Sequence, residues 1–181
     1  RAMKEHKVAI VGSAVEEFAE TTEHVMAVRK MPESSGEIRK FAARRNPFNH
    51  PSVMYQKSIV ETVGGYQDCP FFEDYYLWVS LVANGKQLRN VSEVCCKVRA
   101  NADMYSRRGG INYFRNCMKV ENLLLRSGII SRFRYGVNIV MWFTGTVLLP
   151  PKFRKAVFLN VLRKRELEEN EDADISADAK L

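Results

Sequence analysis

Short apolar runs rich in β-branched residues alternate with helical runs along the first 110 residues of this chain, and turn residues separate them. Lys7–Gly12 (KVAIVG) is followed by a serine and predicts a buried strand. Glu37–Arg45 has helical spacing, and Lys57–Val63 predicts a short helix that ends at Gly64-Gly65. This alternation predicts a mixed α/β fold.

The same patterns divide the rest of the chain. Further predicted strands are a pair within Val15–Arg29, Ser52–Tyr55, and Gln87–Arg99, the last either one strand or a hairpin about Asn90–Ser92. Further predicted helices are the end of one at Ala2–His6, then Glu73–Asn84, Asn112–Arg126, Ser131–Leu149 and Phe153–Leu167. We therefore expect an α/β block over 1–110, a helical extension over 111–167 and a tail over 168–181. Because the chain opens inside a helix, we expect it to be a trimmed piece.

The charge of the chain is uneven. Glu166–Leu181 holds seven acidic residues and one lysine, so its side chains carry −6 and the remainder carries +13. A basic body suits an anionic partner such as nucleic acid, anionic lipid or a sugar diphosphate. No nucleic-acid-binding module is recognisable, so we do not expect nucleic acid. The end of the tail is acidic and has no aromatic residue, which predicts disorder.

The four cysteines and the apolar segments indicate the compartment. No CxxC pair occurs, and we expect Cys69, Cys95, Cys96 and Cys117 to be buried thiols in a reducing, cytosolic setting. Cys95 and Cys96 are neighbours in a predicted strand and should point to opposite faces. No signal peptide is recognisable. The longest apolar stretch, Val137–Pro151, is shorter than the ~20 residues of a membrane-spanning helix.

Two adjacent carboxylates, Glu73 and Asp74, open an apolar helical pattern. A carboxylate at a helix N-terminus is held by free backbone donors and kept ionised, as a general base must be. The simpler interpretation is that Asp74 caps the helix and Glu73 is solvated.

Two loops precede this pair. Asn46–Pro51 contains two prolines and is predicted to be rigid, and its His50 can bond either a phosphate or hydroxyl of a ligand or nearby carbonyls. Gly64-Gly65 allows close approach of the backbone to a ligand, or simply ends a helix.

In their order and spacing, these segments resemble the acceptor side of a family 2 glycosyltransferase of GT-A fold. The family pattern ED-x-D-L-W is matched except at Tyr76, and Asn49–Met54 (NHPSVM) resembles a stretch beside the acceptor. The resemblance implies that Asp74 is the general base, with Glu73 beside it. It also implies that Asn49, His50, Gly64 and Gly65 bind substrate.

A third loop matches the family in part. Ser106-Arg107-Arg108-Gly109 resembles a Ser-Arg-Arg-Gly loop near the donor diphosphate, so the resemblance assigns Arg107 and Arg108 to substrate binding. The alternative is a solvated turn. Where some relatives place a last metal ligand, this chain has no histidine, so we assign no metal ligand there.

The resemblance covers roughly residues 1–110 and implies a bacterial enzyme that builds surface polysaccharide. Such an enzyme moves a sugar, with inversion, from a nucleotide donor to a lipid-diphosphate-linked acceptor, with a divalent metal (Mg or Mn) on the donor. The metal-binding Asp-x-Asp motif of the family lies upstream of the strand that Val8–Ser13 resembles, and only seven residues precede Val8. We therefore expect the donor half and its metal ligands to be absent here, and this chain alone to be inactive.

The C-terminal extension raises the question of membrane contact. Basic residues flank the apolar runs Val137–Leu149 and Val157–Leu162, which suits the surface of an anionic bilayer. The alternative is a helical pair that packs on the domain. We expect a cytoplasmic protein at the inner face of the plasma membrane. The rival to an enzyme is a non-catalytic module, derived from a transferase half, that binds a membrane surface or a partner.

Overall fold

The computed structural model describes residues 2–99 and 109–150. The strands are β1 (Ile10–Phe18), β2 (Val25–Arg29), β3 (Met54–Tyr55) and β4 (Leu88–Arg99). The helices are α1 (Ala2–His6), α2 (Ser35–Ala42), α3 (Lys57–Thr62), α4 (Glu73–Ala83), α5 (Ile111–Arg126) and α6 (Arg132–Phe143). A 3₁₀ turn forms at His50–Ser52, and a π-helical turn, Thr144–Leu148, follows α6. The predicted mixed α/β fold is confirmed, and it is consistent with part of a Rossmann-like glycosyltransferase domain.

Strand β1 is the centre of the sheet. β4 pairs with it in parallel over its whole length, from Ile10 opposite Leu88 to Phe18 opposite Arg99. The other edge of β1 is shared by two antiparallel strands, β3 at its beginning and β2 at its end. The segment between β2 and β3 therefore runs from the end of β1 back to its beginning. This segment contains the Asn46–Pro51 loop.

Helix α4 lies at the centre of the molecule. All but one of its residues from Tyr75 to Val82 are buried, which is typical of a helix with neighbours on every side. Leu77, Trp78 and Leu81 pack toward the sheet with Ile10 and Leu88. On its other side, α4 packs against α5 in a second cluster, formed by Phe72, Tyr75, Val79, Tyr113, Cys117, Val120 and Leu124. The order of layers is thus sheet, α4, then α5 and α6.

The absence of a side chain at Gly12 allows the Asn46–Pro51 loop to lie against the sheet. A Cβ atom at this position would collide with the Asn90 side chain and the Phe48 ring. Phe48 is buried and packs on Trp78, with ring centroids 5.4 Å apart. The Asn46–Pro51 loop is thereby fixed between β1 and α4.

Several boundaries differ from the sequence prediction. The first strand begins at Ile10 and runs to Phe18, because pairing with β4 continues well past Gly12. Gln87–Arg99 is not a hairpin, since β4 is one strand aligned with the whole of β1. Helix α2 begins at Ser35 because Ser34 and Glu37 form a reciprocal capping box.

The prediction of buried thiols is correct for two cysteines and wrong for Cys95. Cys69 and Cys117 are buried between α4 and α5, whereas Cys95 is exposed and Cys96 is partly exposed. The two neighbours lie on opposite faces of β4, and none of the described residues covers Cys95. Pairing with β1 supplies backbone hydrogen bonds at this end of β4. Burial of its side chains would require another element packed on this face of the sheet.

Some predictions fall outside the described residues. They concern Arg107 and Arg108, the helix at Phe153–Leu167 and the acidic tail over 168–181. Within the described ranges, no helix is both long enough and apolar enough to cross a membrane.

Candidate active site

The carboxyl group of Asp74 lies in the first turn of α4 and is held on both oxygens. Oδ1 accepts a hydrogen bond from the Tyr75 backbone amide at 2.7 Å, and Oδ2 accepts one from Asn46 Nδ2 at 2.7 Å. Asn46 is itself fixed, because its Oδ1 accepts from the Phe48 amide at 3.2 Å. The helix N-cap is Phe72, so Asp74 is not the capping residue of the simpler interpretation.

His50 and Tyr66 continue the cluster toward the surface. His50 Nδ1 lies 3.9 Å from Asp74 Oδ2, and His50 Nε2 lies 3.2 Å from the Tyr66 hydroxyl. The rings of His50 and Tyr66 both pack edge to face on Trp78, with centroids 6.1 and 6.4 Å from the Trp78 ring centroid. Asp74, His50 and Tyr66 thus form a chain of polar groups from the inside outward, along which exposure rises from 16% at the Asp74 side chain to 46% at His50.

Burial changes the acid–base properties of this cluster. Burial raises the pKa of Asp74 and the nearby Glu73 adds to the rise, while the Tyr75 amide, Asn46 and His50 oppose it. The pKa of Tyr66 is raised to about 12, first by burial and then by Tyr55 and the two carboxylates. At neutral pH, Tyr66 is therefore a hydroxyl donor, and Asp74 is a more basic carboxylate than a solvated one.

Most of the predicted site residues within the described ranges lie near one another, and Asn49 lies apart from them. Glu73, Asp74 and His50 come together, with Gly64 and Gly65 at the adjoining turn. The two glycines have φ of 89° and 64°, left-handed values that end α3 and turn the chain into Tyr66. Their predicted contact with substrate stays a prediction.

Asn49 lies apart from this cluster. Its side chain is buried, and its Nδ2 donates to the carbonyls of Ser13 at 2.9 Å and Arg29 at 3.1 Å. These bonds tie the loop to β1 and β2 and so position the neighbouring His50. The geometry gives Asn49 a structural role, and its predicted contact with substrate stays a prediction.

Glu73 lines a shallow depression next to Asp74, formed with Gln67–Phe71. Phe71 is 56% exposed and has φ of 71°, a left-handed value that is strained for a bulky residue. Its ring lies 5.6 Å from the Tyr113 ring, between centroids. The depression is open to solvent, and of the clustered residues Glu73 lines it whereas Asp74 and His50 do not.

Sequence reasoning missed both Asn46 and Tyr66 as site residues. Asn46 offers a weak signal, as a lone amide before a proline in a loop that must be rigid. Tyr66 follows the two glycines directly, and its contact with His50 depends on how α3 ends. Neither contact can be inferred from spacing, because 28 residues separate Asn46 from Asp74 and 16 separate His50 from Tyr66.

The divalent metal that the resemblance implies finds no fitting ligand set in the described residues. Nowhere in these ranges do three or more His, Cys, Asp or Glu side chains group so as to hold a metal ion. The oxygens of Asp74 are already engaged by amide donors. We therefore assign no step to a metal at this cluster.

Comparison with known proteins identifies several bacterial relatives. An uncharacterized glycosyltransferase of Haemophilus influenzae is 36% identical over 163 residues, which are 90% of this chain and 60% of the relative. The UDP-Gal:α-D-GlcNAc-diphosphoundecaprenol β-1,3-galactosyltransferase of Escherichia coli is 34% identical over 161 residues, 89% of this chain and 58% of that enzyme. The amylovoran biosynthesis glycosyltransferase AmsE of Erwinia amylovora is 36% identical over 160 residues, 86% of this chain and 58% of that protein.

Two further comparisons bear on these relatives. No protein-family model matches the chain, and no solved structure matches it. The chain spans about three fifths of the length of the curated relatives that it matches. Over nearly nine tenths of its own length, this chain is homologous to bacterial proteins named as glycosyltransferases.

Proposed function

We propose that this chain is the acceptor-side part of a family 2, GT-A glycosyltransferase that works at the cytoplasmic face of the bacterial plasma membrane. The observation that carries the proposal is the Asp74 carboxylate, which is largely buried, held by Asn46 and the Tyr75 amide, and still reachable beside His50. Its relatives support the reaction class, since they are named for transfer of sugars. The donor half and its metal ligands then belong to the part of the relatives that this chain does not span.

The proposed reaction is a single displacement at the anomeric carbon of the donor sugar. A hydroxyl oxygen of the acceptor forms the new bond to this carbon as the bond to the nucleoside diphosphate breaks, so the configuration inverts. Asp74 takes the hydroxyl proton, and its raised pKa suits this role because a base is most effective when its pKa approaches the working pH. The diphosphate leaves with the electron pair of the broken bond.

The other cluster residues have supporting roles in this scheme. His50 lies on the solvent side of Asp74 and can donate to an acceptor oxygen or to a phosphate of a lipid-linked acceptor. Tyr66 fixes the His50 ring through the 3.2 Å contact at Nε2. Glu73 adds negative charge next to the base, which keeps the Asp74 pKa high. Donor binding by Arg107 and Arg108 is part of the proposal and rests on the sequence resemblance alone.

A second candidate function follows from a different observation. Helix α6 has no buried residue and carries several exposed apolar side chains. A non-catalytic module that binds a membrane surface would need this face and would not need Asp74. The two functions therefore differ in their response to substitution of Asp74.

The decisive experiment is Asp74→Asn in the complete protein that carries this chain. The assay follows transfer of labelled sugar from a UDP-sugar to a synthetic lipid-diphosphate N-acetylglucosamine acceptor. We expect turnover to fall by about 10²–10⁴-fold, the scale of a lost general base, with melting temperature changed by only a few degrees.

The matched control is Glu61→Gln, which removes a carboxylate whose side chain is 62% exposed and pairs with Lys57. This variant should keep full activity. Turnover of Asp74→Asn within about threefold of wild type would rule out the base and favour the non-catalytic module.

A further inference from the structure

Helix α6 is fixed in rotation by polar contacts along one face. Glu121 of α5 accepts hydrogen bonds from Asn138 Nδ2 at 2.9 Å and from Trp142 Nε1 at 3.0 Å. One turn earlier, the Tyr135 hydroxyl donates to Asn122 Oδ1 at 2.6 Å. These contacts hold the Tyr135, Asn138 and Trp142 side of α6 against the domain, so the opposite side must face outward.

The outward side of α6 is apolar. Phe133 is 83% exposed, Val140 65%, Met141 66% and Val137 41%. At about 100° per residue, these four positions fall within an arc of about 100°. No residue of α6 is buried, so this apolar face has no cover among the described residues. A face with several large apolar side chains at this exposure is typical of an interaction surface.

The surroundings of this face are basic. Arg132 and Arg134 are both exposed and lie on either side of the apolar arc. At about 100° per residue, Arg134 is about 20° beyond Met141 and Arg132 is about 80° beyond Val140. From Asn122 to Arg165 the sequence contains nine Lys and Arg residues and no Asp or Glu. Arginines at the edges of an apolar helical face can reach lipid headgroups while the apolar side chains enter the bilayer.

We propose that the outward face of α6 binds an anionic lipid bilayer, with the helix lying in the plane of the interface. Charge complementarity selects this occupant over a second copy of the chain. Two such faces would bring the arginines of one α6 against those of the other, and α6 contains no acidic residue to compensate. The inference deepens the proposed function and rests on it for the lipid-linked acceptor. The same molecule would then carry both the Asp74 cluster and a membrane-binding face.

Vesicle sedimentation of the full chain tests the proposal. The probes are vesicles of phosphatidylcholine alone and of phosphatidylcholine with phosphatidylglycerol. We expect binding that requires phosphatidylglycerol and weakens as salt is added. Arg132→Gln should weaken binding about fivefold, the scale of one basic residue at an anionic surface. Met141→Glu should weaken it at least about tenfold, because it removes apolar contact and adds repulsion.

Met26→Glu is the matched control, because Met26 is an exposed methionine in β2 and is 45% exposed. It should bind like the unaltered chain. No binding to acidic vesicles, equal binding to neutral ones, or unchanged binding by Met141→Glu would overturn the proposal. A melting temperature that falls sharply in Met141→Glu but not in Met26→Glu would also overturn it, since it would show that another part of the protein covers this face. Vesicle binding involves no sugar transfer, so its failure is distinct from failure of the proposed reaction.

Discussion

The carboxyl group of Asp74 is subject to two opposing influences. Removal from water disfavours its ionised form, whereas the Asn46 amide, the Tyr75 backbone amide and the nearby His50 favour it. The balance leaves the pKa of Asp74 above that of a solvated aspartate. The hydrogen bond from Asn46 lowers the pKa of Asp74, and a single substitution of Asn46 removes it.

Asn46→Ala should therefore raise the pKa of Asp74 further. A general base acts in its ionised form, so the acidic limb of the kcat/KM profile should move to higher pH, and the loss of activity should be larger at low pH than at high pH. The measurement is the pH profile of sugar transfer by the complete protein. Asn112→Ala, which alters an exposed asparagine at the start of α5, should leave the limb in place. A limb that stays fixed or moves to lower pH in Asn46→Ala would contradict this account.

At the scale of elements, α4 joins the two cores. Leu77, Trp78 and Leu81 belong to the cluster on the sheet, whereas Tyr75 and Val79 belong to the cluster on α5. The first turn of this same helix carries Asp74. A helix that is buried on two sides cannot shift without repacking both clusters, so the position of the carboxylate is as rigid as the core.

Leu81→Ala should lower the free energy of unfolding by about 2–5 kcal/mol, because Leu81 is fully buried and the cavity left behind cannot collapse completely. Leu148→Ala is the matched control, since Leu148 is 63% exposed and its truncation should stay within about 0.5 kcal/mol. Urea unfolding of both variants gives the comparison. Equal effects of the two substitutions would mean that α4 is not the central helix of the fold.

At the scale of the whole molecule, the chain combines one candidate catalytic cluster with a strongly basic extension. It spans about three fifths of its glycosyltransferase relatives. In the proposed function, the donor nucleotide binds mainly to the remaining part of such a protein. The only donor contacts assigned to this chain are Arg107 and Arg108.

This chain alone should therefore bind UDP weakly. Two guanidinium groups supply charge for a diphosphate but no pocket for the base and ribose. Isothermal calorimetry with UDP, with and without Mg²⁺ or Mn²⁺, should show no micromolar binding. The complete protein, measured in parallel, should bind UDP more tightly. Micromolar, metal-dependent binding by this chain would show that the donor pocket is built from residues within it.

The sequence predicted most of the elements because their signals are local. The helices at α4 and α5 follow from apolar spacing over three or four turns, and the end of α3 follows from two adjacent glycines. Pairing between distant strands has no such signal. Of the two alternatives for Gln87–Arg99, one strand or a hairpin about Asn90–Ser92, the structure has the single strand. This strand, β4, aligns with the whole of β1, about 78 residues earlier in the chain by the Ile10–Leu88 pair.

By itself, the sequence determined the mixed α/β class, the carboxylate pair at the start of α4 and the basic character of the C-terminal extension. Only the tertiary structure decided that Asn46 holds Asp74, that Asn49 is buried beside His50, and that Cys95 is exposed. The reason is physical. Composition and helical spacing act within a few residues, whereas hydrogen bonds and burial across this site depend on how loops from different elements pack around Trp78.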